Sequence, residues 1–132
     1  MIQIQFNLLA VLIAAIASFA IGALWYSPLL FGKTWMRLAG IKNMKGRAGS
    51  YIIGFITTLV TAYILAFGIA YTQAATIPEG LIVGALVWVG FIATISMGML
   101  IYEGKPVKLY FINNAYHLLS LLVMSAIIIA FQ

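Results

Sequence analysis

Cysteine is absent from this sequence, and acidic residues are nearly so, with only two in 132 positions. The lack of cysteine excludes disulfide bonds, thiolate metal sites and thiol nucleophiles. Two acidic residues and a single histidine are too few ligands for a metal site within one protomer. Because a Ser-His-Asp set and a glycine-rich phosphate loop are also missing, we expect no metal, no cofactor and no enzyme activity.

Charged residues of either sign are scarce as well. They make up 7% of the chain, whereas 65% of its residues are hydrophobic. A water-soluble domain needs more polar surface than this composition provides. The chain is therefore predicted to be an integral membrane protein, with the lipid bilayer as its surroundings.

The few basic residues are clustered along the chain. Five of the seven, Lys33, Arg37, Lys42, Lys45 and Arg47, lie in one segment between two apolar stretches. This clustering is typical of the cytoplasmic loops of membrane proteins. The net charge of +5 therefore does not lead us to expect a nucleic-acid partner.

Four apolar stretches are long enough to cross a hydrocarbon core of about 30 Å, which needs roughly 20 helical residues. The loops after the first and third stretches carry basic residues, whereas the second loop carries none. The pattern predicts one all-α domain in the inner or plasma membrane, with both termini outside and the first and third loops in the cytoplasm. The four predicted transmembrane helices cover about residues 6–26, 50–71, 77–102 and 107–131.

A short amphipathic segment follows the first stretch. Ser27-Pro28 is typical of a helix start, and Gly40 is typical of a helix end. Over residues 28–39 the apolar and polar side chains separate onto opposite faces, which predicts a helix in the membrane interface. This helix would be an anchor, or else a gate or docking surface. The interface and gate candidates are Trp25, Tyr26, Ser27, Pro28, Phe31, Lys33, Trp35 and Glu103.

The two acidic residues have different local settings. Thr76 and Glu79 have the spacing of a helix capping box, which accounts for Glu79. Glu103 falls in the predicted last turn of the third helix, where the helix dipole opposes a negative charge by about 0.3–1 kcal/mol. We therefore expect an ion pair for Glu103, either with a lysine of the following loop or with Lys33 or Arg37.

Small residues recur along the first two predicted transmembrane helices at intervals that place them on one face. Lipid gives helices no hydrophobic reason to associate, so small residues that allow close approach usually mark helix contacts. We expect these faces to pack against other helices. They comprise Ala14, Ser18 and Gly22 in the first helix and Gly54, Thr58, Thr61 and Gly68 in the second.

The fourth stretch is unusually polar. At 1.5 Å per residue His117 lies about 15 Å from the cytoplasmic end, close to the middle of the bilayer. Polar groups at that depth are costly without partners and usually face the bundle interior. Hydroxyl groups of the other helices fall at a similar depth, which predicts a polar layer. Its candidate members are Asn113, Asn114, His117, Ser18, Thr58, Thr61 and Ser96.

This layer permits two functions. A cavity open to the cytoplasm would bind or pass a small solute or a lipid, and a homo-oligomer is expected because four helices enclose little space. A cluster of interhelical hydrogen bonds, each contributing about 0.6 kcal/mol, would fit a structural or accessory subunit that docks a protein partner through its cytoplasmic corner. In either case we expect a neutral His117 ring whose nitrogens bond to Asn113, Asn114 or a hydroxyl group of the second transmembrane helix.

Several motifs together resemble those of a known family. They are Gly22-Ala-Leu-Trp-Tyr-Ser-Pro28, Phe31-Gly-Lys-x-Trp35, Trp88-Val-Gly-Phe91, Tyr102-Glu-Gly-Lys-Pro106 and Asn114-Ala-Tyr-His-Leu118. Over nearly its whole length the chain is similar to small four-helix membrane proteins, mainly bacterial, that form a family of unknown function. The resemblance implies an integral membrane protein without an assigned activity. It points, without roles, to Asn7, Trp25, Tyr26, Ser27, Pro28, Phe31, Gly32, Lys33, Trp35, Trp88, Glu103, Tyr116 and His117.

Overall fold

A computed structural model describes residues 5–43 and 47–132, and within these ranges all regular secondary structure is helical. Lys45 of the basic cluster lies outside the described residues. Four of the helices are long and apolar enough to span a membrane, as predicted. In chain order we name the helices α1 (Leu8–Trp25), α2 (Gly32–Ala39), α3 (Ala48–Tyr71), α4 (Ile77–Ile101) and α5 (Val107–Ala130).

The other three long helices pack around α5, which contacts α1 on one side and α4 on another, while α3 packs on α1. Their apolar core comes from the first half of α1 and the second halves of α3 and α5. Because consecutive helices run in opposite directions, these segments lie at the end of the bundle away from α2. Buried core residues include Ala14, Ala62, Leu65, Ile69, Met124 and Ile128.

Two glycines bring α4 close to α5. A Cβ atom on Gly84 would lie 2.6 Å from Ser125 Oγ, and one on Gly80 would lie 2.7 Å from Ile129 Cγ1. Both glycines are buried. The predicted small-residue faces included neither position, although the physical reason for close approach is the same.

The small residues of α1 pack as predicted, because Ala14 and Ser18 are buried. A Cβ atom on Gly22 would lie 2.9 Å from the Tyr116 hydroxyl oxygen, so α5 also approaches closely there. The prediction for α3 is wrong at Gly68, where an added Cβ atom would meet nothing within 4 Å, and at Thr61. Thr61 is exposed, and α3 instead buries Ala62, Leu65, Ala66 and Ile69.

Helix α4 begins as the sequence predicts and then becomes irregular. Glu79 N donates to Thr76 Oγ1 at 3.4 Å, and Glu79 Oε2 accepts from Thr76 N at 3.2 Å, which confirms the capping box. Beyond Trp88 the helix continues as a π-helical turn, Val89–Ala93. Such turns widen a helix locally and occur often at functional sites.

The connection from α1 to α2 is a tight turn. Ser27 Oγ donates to Leu24 O at 2.6 Å and accepts from Leu29 N at 3.3 Å, so this side chain joins the end of α1 to the turn that follows. Gly32 N donates to Ser27 O at 2.9 Å, and Gly32 is buried where a Cβ atom would meet Ser27. Helix α2 therefore begins at Gly32, four residues after the predicted start at Pro28. Its end at Gly40, with φ of 75°, agrees with the prediction, and its location in the membrane interface stays a prediction.

Candidate functional site

Two cavities lie between the helices, one beside α2 and one nearer the middle of the bundle. The larger, which we call the corner pocket, has a volume of about 730 Å³ and lies between α1, α2 and α3. Phe19, Trp35, Met36 and Tyr51 contribute most of its apolar side chains. Lys33 is the one charged side chain among the described residues that line it.

Aromatic rings hold this corner together. The ring centroids of Tyr26 and Trp35 lie 4.9 Å apart, and those of Trp25 and Phe31 lie 4.7 Å apart. The Tyr26 ring also packs at 5.5 Å from the ring of Tyr116 in α5. These contacts attach the turn and α2 to the bundle, since aromatic pairs at such distances attract each other.

Most of the interface and gate candidates meet at the corner pocket. Those that line it are Tyr26, Ser27, Pro28, Lys33 and Trp35. Trp25 and Phe31 do not line it, but their rings pack on each other, and the Trp25 ring lies 6.5 Å from that of Tyr116, which does.

Glu103 does not join them. It is exposed in the connection between α4 and α5, and it forms no ion pair with the basic residues that the structure describes. The expected partnership with Lys33, Arg37 or a neighbouring lysine is therefore wrong. The physical reason is that α4 ends at Ile101, so Glu103 lies beyond the last helical turn, where water can solvate its carboxylate.

The indole groups of Trp25 and Trp88 hold α5 at the same level. Trp25 Nε1 donates to Ile112 O at 3.0 Å, and Trp88 Nε1 donates to Asn114 O at 2.8 Å. Between these two acceptors, Asn113 Oδ1 accepts a hydrogen bond of 2.8 Å from the Tyr26 hydroxyl group. The first turns of α5 are thereby attached to α1, to α4 and to the corner.

The smaller cavity, which we call the deep pocket, has a volume of about 240 Å³. It lies between α1, α3 and α5, with Ile92 of α4 among its lining residues. Thr57, Thr61 and His117 are exposed, so the deep pocket opens at the surface of the bundle. Seven of its ten lining side chains are polar. These seven are Ser18, Thr57, Thr58, Thr61, Tyr116, His117 and Ser120.

Hydroxyl groups in the deep pocket bond mainly to backbone carbonyls and to one another. Thr57 Oγ1 and Thr58 Oγ1 each donate to Gly54 O at 2.8 Å, and Thr61 Oγ1 donates to Thr57 O at 3.0 Å. Ser18 Oγ of α1 pairs with Ser120 Oγ of α5.

The Tyr116 hydroxyl group donates to Ser18 O at 3.1 Å. Tyr116, Thr57 and Thr58 line both cavities. They therefore form the wall between the corner pocket and the deep pocket.

His117 differs from the other polar groups of the deep pocket. It forms no hydrogen bond with any described residue, and its one ring contact is with Tyr116 at 5.3 Å between centroids. The expected bonds to Asn113, Asn114 or a hydroxyl group of α3 are therefore wrong. The Asn113 side chain bonds to Tyr26, and the threonine hydroxyl hydrogens are directed at carbonyls of α3 itself.

The predicted polar layer is divided between two sides of α5. Ser18, Thr58, Thr61 and His117 line the deep pocket. Asn114 is 2% exposed, and its Oδ1 atom accepts from Ser96 Oγ at 3.0 Å. Its Nδ2 atom donates to the carbonyl of Tyr110 at 3.0 Å. Asn114 and Ser96 thus form an interhelical hydrogen bond, the packing role that the second hypothesis describes.

Several pocket residues were not among the sequence candidates. Phe19, Met36 and Tyr51 line the corner pocket, but such residues are common throughout this hydrophobic chain and carry no distinguishing signal. Ser120 also lines the deep pocket; it lies three residues after His117, and this spacing predicts that the two share a side of α5.

Comparison with known proteins places the chain in a family. Residues 9–129 match the family described as "Protein of unknown function (DUF1761)". None of the curated proteins matches the chain, and none of the solved structures does. Because the match extends from the start of α1 to the end of α5, the chain belongs to this DUF1761 family of proteins of unknown function.

Proposed function

We propose that this protein binds a small amphipathic molecule with an anionic head group in the corner pocket. The observation that carries the proposal is a cavity of about 730 Å³ whose walls are largely aromatic and aliphatic and whose one charged described residue is Lys33. Cavities of roughly 300–1,000 Å³ with apolar walls and a few polar groups are typical of small-molecule sites.

Charge complementarity selects the class of ligand. An ammonium group binds carboxylate or phosphate oxygens through charge-assisted hydrogen bonds. Lys33 is exposed at the corner, while Phe19, Met36 and Tyr51 offer apolar contacts to a chain or ring. A fatty acid or a lipid fragment combines these two requirements, and a bilayer supplies such molecules.

The basic residues of the first connection support a cytoplasmic location for the corner pocket. Lys33, Arg37, Lys42 and Arg47 lie close together in the sequence, and short loops rich in lysine and arginine remain on the cytoplasmic side. Location in the cell membrane and association into a homo-oligomer are further parts of this proposal.

The experiment measures binding of a fluorescent fatty acid, 11-(dansylamino)undecanoic acid, to the protein in lipid nanodiscs, with empty nanodiscs subtracted. Lys33→Gln removes the charge and keeps much of the side-chain length. We expect its affinity to be about tenfold lower, since hydrogen bonds to charged groups contribute about 1.5–3 kcal/mol and 1.4 kcal/mol corresponds to tenfold.

Lys42→Gln is the matched control, because Lys42 is exposed and does not line the corner pocket. It loses the same charge from the same connection and is expected to bind the probe like the parent. Equal affinities of the two variants, or no binding by the parent above empty nanodiscs, would contradict the proposal. The second result would favour the accessory role, in which the corner docks a protein.

A further inference from the structure

The three threonines that line the deep pocket offer hydrogen-bond acceptors and no donors. A hydroxyl group has one hydrogen and two lone pairs. Thr57, Thr58 and Thr61 each direct that hydrogen at a backbone carbonyl of α3. These three oxygens can therefore only accept hydrogen bonds from a bound molecule.

The other polar side chains of the deep pocket have few free donors. Ser18 Oγ and Ser120 Oγ share one hydrogen bond, and Ser18 Oγ also lies 3.4 Å from the Tyr116 hydroxyl oxygen. The Tyr116 hydroxyl group donates to Ser18 O. A neutral His117 ring provides one N–H donor and one acceptor nitrogen, and neither has a partner among the described residues. Acceptors thus outnumber donors around this pocket, and the imidazole is its least satisfied group.

The same lining excludes charged molecules. Of the described residues that line the deep pocket, none carries a carboxylate, an ammonium or a guanidinium group. An ion moved there from water would lose its hydration without gaining a counter-charge, which is strongly unfavourable. A neutral molecule does not have this penalty of burying a charge.

The size of the cavity limits the occupant further. About 240 Å³ holds several water molecules or one small organic solute. Polar groups left unpaired at this depth in a bilayer are costly, so an occupant that bonds to the imidazole and the threonine oxygens stabilises the bundle.

From these observations we infer that the deep pocket is a second binding site, which takes a small uncharged solute rich in N–H or O–H donors, of the polyol or urea type. Thr57, Thr58 and Thr61 accept its hydrogen bonds, and His117 both donates to it and accepts from it. The inference goes beyond the proposed function, since that concerns an anionic amphiphile in the corner pocket.

The single histidine of the chain allows a direct test. Protein labelled with ¹⁵N-histidine in nanodiscs shows imidazole signals from His117 alone. Ethylene glycol and urea carry donors, whereas acetone is similar in size and can only accept. We expect saturable shifts of the ¹⁵N signals with glycol and urea, and an acetone affinity that is lower by roughly tenfold or more.

A double variant and a control variant test whether the solute binds in the deep pocket. Thr57→Val with Thr61→Val removes two acceptor oxygens and keeps the side-chain shape, and it should weaken glycol binding by roughly tenfold. Thr94→Val is the control, because Thr94 also bonds to the carbonyl four residues earlier, at 3.0 Å, and does not line the pocket. It is expected to respond like the parent.

Three results would each overturn the inference: shifts with acetone as strong as with glycol, no saturable shift with any solute, or a double variant that binds glycol like the parent. The solute comparison uses the unmodified chain and so does not depend on the folding of a variant. Lys33→Gln, which tests the corner pocket, should leave the glycol response unchanged, so the two proposals can fail separately.

Discussion

Trp25 and Trp88 hold α5 from opposite sides. Their indole groups donate to the carbonyls of Ile112 and Asn114, which lie two residues apart. At about 100° per residue these two positions point about 200° apart around the helix axis. The two tryptophans therefore fix both the depth and the rotation of α5 at the level where the polar residues begin.

Replacing either tryptophan by phenylalanine should lower the stability of the bundle. Trp25→Phe and Trp88→Phe each remove one hydrogen bond and keep an aromatic ring, so we expect a loss of about 0.5–1.5 kcal/mol each. Unfolding in a mild detergent measures this loss. Trp35→Phe serves as the comparison, because Trp35 packs on Tyr26 and forms no indole hydrogen bond with a described residue. A Trp25→Phe or Trp88→Phe protein no less stable than Trp35→Phe would contradict the role of the two bonds.

Gly84→Ala should disturb the contact between α4 and α5. The new methyl group would lie 2.6 Å from Ser125 Oγ and 3.1 Å from Leu121 O, so the helices must separate. Overpacking of this kind costs about 1–3 kcal/mol, measurable by thermal unfolding in detergent. Gly68→Ala in α3 is the control, since nothing lies within 4 Å of its added Cβ, and it should be neutral or slightly stabilising. Equal stability of the two variants would contradict the close packing of α4 on α5 at Gly84.

The two parts of the polar layer should respond differently to mutation. Asn114→Leu removes the side-chain bonds to Ser96 and Tyr110 in a buried position, so we expect a loss of about 1–3 kcal/mol. His117→Phe removes no hydrogen bond to a described residue, so the free energy of unfolding should stay within about 0.5 kcal/mol. Equilibrium unfolding of both variants beside the parent measures the difference. Loss of stability in His117→Phe as large as in Asn114→Leu would assign His117 to packing.

The orientation of the chain can be tested with single cysteines, since the natural sequence has none. An impermeant thiol reagent applied to intact cells should label cysteines at positions 2, 74 and 130 and leave position 45 unlabelled. The basic first connection is the reason for this expectation. In broken cells the reagent should label all four positions, which is the control. Labelling at position 45 in intact cells would contradict the predicted orientation and the cytoplasmic location of the corner pocket.

Some features of this protein follow from the sequence alone because they depend on local chemistry. The four spanning helices follow from the lengths of the apolar stretches. The capping box of Thr76 and Glu79 and the end of α2 at Gly40 depend on residues within one turn of each other. Membership of the family likewise rests on the residues themselves.

Tertiary structure decided which way each helix faces. Asn114 turns to α4 while His117 turns to the deep pocket, and α3 packs through Ala62 and Ala66, whereas Thr61 is exposed. In water, burial of apolar side chains would mark the inner face of a helix by its periodicity. In lipid both faces are apolar and associate only through close packing and hydrogen bonds, so the inner face is chosen by the fit of the neighbouring helices.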